Sequence, residues 1–97
     1  MLDLNTDNFQ DFINSEETVL VDFWAEWCGP CKRVLPELEK LSEKGISVGK
    51  VNIDTEGPLA LKFDVLSIPA IYAFRNGEVV NKQIGAATAE AIEEKLL

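Results

Sequence analysis

Two cysteines, Cys28 and Cys31, are the only ones in a 97-residue chain, and only Gly29 and Pro30 separate them. Two randomly placed cysteines would take this spacing about 2% of the time. On a helix, three positions put the two Cα atoms about 5 Å apart, within reach of a disulfide. The chain has no histidine and no third cysteine, so neither a disulfide framework nor an ordinary tetrahedral zinc site can be built within it. Two structural cysteines that happen to be helix neighbours, or a metal held between two copies, would also account for the pair. Neither alternative needs a Gly-Pro insert or a preceding Trp27.

The chemistry depends on the elements that hold the pair. Val19 to Trp24 is β-branched, aromatic and apolar on both alternating faces, as in a strand buried on both sides of a parallel sheet. Its one exception is Asp22. After the cysteines, Val34, Leu35, Leu38 and Leu41 form an apolar helical stripe, leaving Glu37, Lys40, Glu43 and Lys44 for solvent. Gly45 offers a stop and Pro36 a kink. Cys28 therefore falls at a helix N-terminus, where unpaired N–H groups and the positive dipole end favour a thiolate. Cys28 is thus the attacking nucleophile and Cys31, one turn deeper, the resolving thiol. Pro30 suits the first helical turn, and Gly29 keeps a side chain off the sulfur.

The remaining pattern predicts a short strand at Leu2 to Leu4 and a helix carrying Phe9, Phe12 and Ile13. A strand from Ser47 to Asp54 completes a βαβ crossover, and Glu56 to Phe63 is a short helix. Asn76-Gly77 between Ala70 to Phe74 and Glu78 to Ile84 predicts an antiparallel hairpin. Thr88 is the N-cap of a last helix with Ile92 and Leu96 in the core. The expectation is one α/β domain over residues 1–97, a mixed sheet of four to five strands flanked by about four helices.

Nine basic against seventeen acidic residues give a net charge of −8, which argues against nucleic acid as partner. No apolar run approaches the roughly 20 residues of a membrane span, and no basic-then-apolar leader opens the chain, so a cytoplasmic location is the default.

Phe23-Trp24-Ala25-Glu26-Trp27-Cys28-Gly29-Pro30-Cys31-Lys32 resembles the active-site segment of the thioredoxin family. The resemblance extends to Asp22, to Pro36, to Lys50-Val51-Asn52-Ile53-Asp54, to Ser67-Ile68-Pro69, to Asn76-Gly77 and to Gly85. It implies the thioredoxin fold and dithiol–disulfide exchange with protein disulfides, without a cofactor in the chain itself. It implies that Asp22 is a buried base for the resolving thiol, with Lys50 beside it, and that Ile68–Pro69 is cis. On this reading Trp27, Pro30, Ile68, Gly85 and Ala86 frame an apolar docking surface where Ile68 pairs with substrate main chain. Half-buried core packing for Trp27, a strand end for Gly85 and a satisfied polar group for Asp22 are the structural alternatives. Ala70 departs from the threonine more common after the family's proline.

Oxidising relatives and isomerases carry a histidine in the insert; its absence here implies a reductant. The resemblance implies an NADPH-dependent flavoprotein reductase as electron donor, and a monomer is expected. A redox-independent binding module using the same surface is the competing function.

Overall fold

The computed structural model describes residues 1–97. In chain order its elements are β1 (Leu2–Asp3), α1 (Phe9–Ile13), β2 (Thr18–Trp24), α2 (Gly29–Glu43), β3 (Val48–Asn52), α3 (Gly57–Lys62), β4 (Ala70–Arg75), β5 (Glu78–Ile84) and α4 (Ala89–Leu96). The five strands form one mixed sheet in the order β1-β3-β2-β4-β5. β3 is parallel to both β1 and β2, whereas β4 is antiparallel to β2 and β5. β2, read as buried on both faces, is the central strand. The first strand has only two residues, and Leu4 N–H continues its pairing through the Lys50 carbonyl at 2.7 Å.

Strand alternation divides the core in two. Val19, Val21 and Phe23 of β2 join Ala70, Tyr72 and Phe74 of β4 beneath Phe9, Ile13 and Leu59 from α1 and α3. Leu20, Ile71 and Ala73 face the other way, against Val34, Leu38 and Leu41 of α2 and Ile92 and Leu96 of α4. Asp22 shares this second face and is fully buried. Gly49 lies where β3 meets the first core: a Cβ there would stand 2.6 Å from Leu4 Cδ1 and 2.9 Å from Phe12 Cε2.

Local chemistry sets the element ends. Asn5 Oδ1 accepts the N–H groups of Asp7 and Asn8 at 2.8 and 3.0 Å ahead of α1. Asn76 and Gly77 both have positive φ, 52° and 83°, as the tight β4–β5 hairpin requires. Thr88 Oγ1 accepts Ala91 N–H at 3.1 Å and caps α4 as expected. Helix α2 continues through Pro36 to Glu43. Leu35 is only half-buried at the edge of the α2 stripe.

Glu37 requires a correction. Instead of facing water freely, its carboxylate accepts Ala89 N–H at 2.9 Å at the start of α4, while Lys40 pairs with it at 3.2 Å. An orphan N–H at a helix start attracts an anion, and the two helices are packed close enough for Glu37 to supply it. Both contacts hold its carboxyl below the usual value. No helix is long and apolar enough to cross a membrane.

Candidate active site

The chain leaves β2 at Trp24, turns, and enters α2 at Gly29. Cys28 is the N-cap in extended conformation, and its Sγ accepts Cys31 N–H at 3.2 Å. The two cysteines are joined in a disulfide with Cα atoms 5.3 Å apart. Cys31 is 1% exposed and Cys28 5%, the order expected from their helix positions. They pack with Ala25 and against Trp24, Ile53 and Ile68. A methyl at Gly29 would meet only Arg33 at 4.0 Å, so the glycine leaves this face open without relieving a clash.

Asp22 has both carboxylate oxygens buried and without a hydrogen-bond partner. Desolvation pushes its pKa from 3.8 to about 7, an effect reduced by the positive charge of Lys50. Lys50 is the register partner of Asp22 on β3, yet its ammonium lies 5.1 Å from the Trp24 ring centroid and 3.8 Å from Asp3 Oδ1. It acts on Asp22 as a nearby charge without forming an ion pair. Proximity was legible in the resemblance; the orientation toward Trp24 was not.

The rim comes from three loops. Trp27 is 69% exposed and donates its Nε1–H to Asp54 Oδ2 at 2.9 Å, which holds an amphipathic ring upright at the surface. The Ile68–Pro69 peptide is cis. Pro69 C=O accepts Gly85 N–H at 2.8 Å, tying the loop before β4 to the end of β5. Gly85 has φ of +90° and open space around its Cα, so backbone conformation favours glycine there. The main-chain N–H and C=O of Ile68 have no partner within the chain. Pro30 and Ala86 are exposed nearby in sequence to these groups.

Residues 1–97 match the family model described as thioredoxin. The chain belongs to the thioredoxin family. It is 46% identical over 89 residues to the thioredoxin of Streptomyces clavuligerus, covering 89% of this chain and 83% of that one. It is 41% identical over 87 residues to a bifunctional thioredoxin reductase/thioredoxin of Mycobacterium leprae, covering 87% of this chain but 19% of that longer one. A mutant thioredoxin from Halobacterium salinarum superposes with a TM-score of 0.91 at 30% identity, over 96% of this chain and 84% of that one. The fold is thus the thioredoxin fold, and the activity is that of a thiol–disulfide oxidoreductase exchanging a dithiol for a disulfide.

Asp54 and Glu37 are the polar residues that sequence reasoning missed. The thioredoxin resemblance placed Asp54 at the third strand and gave it no task; β3 in fact ends at Asn52, Asp54 lies in the turn after it, and its partner Trp27 is 27 positions away.

Proposed function

We propose that the chain reduces disulfides of substrate proteins, Cys28 being the attacking thiolate and Cys31 the resolving thiol. The observation that carries this reading is the Cys31 N–H directed at Cys28 Sγ at the start of α2, a donor that favours a thiolate. The reduced enzyme begins with both thiols. The Cys28 thiolate attacks one sulfur of the substrate disulfide, forming a mixed disulfide, and the displaced substrate thiolate takes up a proton. Cys31 then gives its proton to Asp22, attacks Cys28 Sγ and displaces the second substrate thiolate, which is protonated in turn. Two electrons pass to the substrate, whose two thiolates are protonated from solvent; the protons of Cys28, lost to solvent, and of Cys31, returned to solvent by Asp22, balance them, and Cys28–Cys31 is left as a disulfide.

Asp22, with a pKa near 7, suits a base working at neutral pH, and Lys50 tunes it. The unpartnered Ile68 main chain is the edge against which a substrate segment pairs, with Trp27, Gly29, Pro30, Pro69, Gly85 and Ala86 around it. A thioredoxin reductase, an NADPH-dependent flavoprotein, returns the electrons. The Mycobacterium leprae relative, named for both activities, supports a reductase partner. The same proposal takes residues 1–97 as one domain acting as a monomer in the cytoplasm.

The test is reduction of insulin disulfides with dithiothreitol as electron source, together with equilibration of Cys28–Cys31 against glutathione. Turnover and a potential below about −200 mV are expected. A Cys28→Ser, Cys31→Ser double variant with full activity would overturn the reading.

A further inference from the structure

Two exposed apolar side chains flank a groove lined in part by Ser67, the residue before Ile68. Leu66 is 95% exposed, and Ile84, at the end of the edge strand β5, is 51% exposed. Between them runs an open groove of about 200 Å³, its floor formed by Ala70 and Tyr72 of β4. The groove is held in shape from both sides. Val65 N–H bonds to Ala60 C=O at 3.0 Å, and Tyr72 Oη donates to Phe63 C=O at 2.8 Å. Ile84 adjoins Gly85, whose N–H is bonded to Pro69. The groove is lined by Leu66 and Ser67, and Ser67 is the chain neighbour of Ile68, whose main chain is unpartnered.

We infer that this groove is a substrate subsite that selects protein disulfides with a large apolar side chain two or three residues from the attacked cysteine. The inference rests on the reductase reading, because that reading brings a substrate segment to Ile68. A segment paired there advances about 3.3 Å per residue, and the next positions along it pass Ser67 and Leu66. The side chain arriving at the groove meets Leu66 and Ile84, while the Lys82 ammonium lies 4.9 Å from the centroid of the buried Tyr72 ring. An aliphatic or aromatic group buries apolar area there, and a polar one gains nothing comparable. Asp64 and Lys82 both line the groove, so their opposite charges offset each other there and apolar area sets the preference.

The test uses two disulfide-bonded peptides, identical except for leucine or serine two and three residues on either side of each cysteine. The wild-type chain should reduce the leucine peptide with kcat/KM about tenfold higher. Leu66→Ser, at a position too exposed to carry the fold, should lower that ratio to about twofold while the potential of Cys28–Cys31 stays unchanged. Leu61→Ser, a substitution at a residue 78% exposed on α3 and outside the groove, should keep the tenfold ratio. A wild-type ratio near one, a ratio unaffected by Leu66→Ser, or an equal loss in Leu61→Ser overturns the subsite and leaves the reductase reading standing. Reduction of neither peptide overturns both.

Discussion

Replacing Asp22 with asparagine should stabilise the protein by an amount that grows as pH rises above 3.8 and is complete above about pH 7. The carboxylate is fully buried with neither oxygen hydrogen-bonded, and its folded pKa rises from 3.8 to about 7. A folded-state acid with a raised pKa binds its proton more tightly than the unfolded chain does. Stability is therefore greatest below pH 3.8 and falls as pH climbs toward 7. Each pH unit in that window is worth about 1.4 kcal/mol, so ionisation of Asp22 costs the fold about 4 kcal/mol by pH 8. Asparagine has the shape of the protonated acid and cannot ionise. Urea denaturation of both oxidised proteins should place Asp22→Asn about 4 kcal/mol above wild type at pH 8, a midpoint shift of about 2 M. At pH 4 the two should agree to within about 1 kcal/mol. Equal stabilisation at both pH values would mean a packing effect, and no stabilisation at pH 8 would mean that Asp22 is not desolvated as described.

The same Asp22→Asn variant, followed by rapid mixing with a disulfide substrate, should slow release of the mixed disulfide more than its formation; equal slowing removes the base assignment. Glu37→Gln should lower the thermal midpoint above pH 4.5, because a carboxyl with a depressed folded pKa contributes stability when ionised. That difference should close as pH falls through the folded pKa, and a pH-independent difference would refute it. Gly49→Ala forces a methyl against Leu4 and Phe12 and should cost about 1–3 kcal/mol in urea denaturation, whereas an unchanged midpoint would show that Leu4 moves aside freely. Asp54→Ala removes the acceptor of Trp27 Nε1 and should cost about 1 kcal/mol and raise KM for protein substrates with the redox potential unchanged. An altered potential would instead link Trp27 to the sulfur chemistry.

Much of this molecule was readable from neighbouring residues. The C-x-x-C pair at the junction of an apolar run and a helical stripe, the Asn76-Gly77 turn and the Thr88 cap rest on interactions within a few positions, so periodicity and residue type determine them. Asp22 stood out as the one charge in a strand apolar on both faces. What only the tertiary structure decided are the contacts made across the sheet and between helices. Glu37 meets Ala89 across 52 positions, and Trp27 meets Asp54 across 27. No local spacing encodes which acidic residue will find which orphan N–H. The direction of the Lys50 ammonium, the orphaned oxygens of Asp22 and the closeness of Gly49 to Leu4 likewise follow from packing. The cysteines and their thiol chemistry were in the sequence; the burial that raises the pKa of Asp22 and the exposure of Trp27 come into being only when the sheet closes on its helices, because desolvation and exposure are properties of the assembled core.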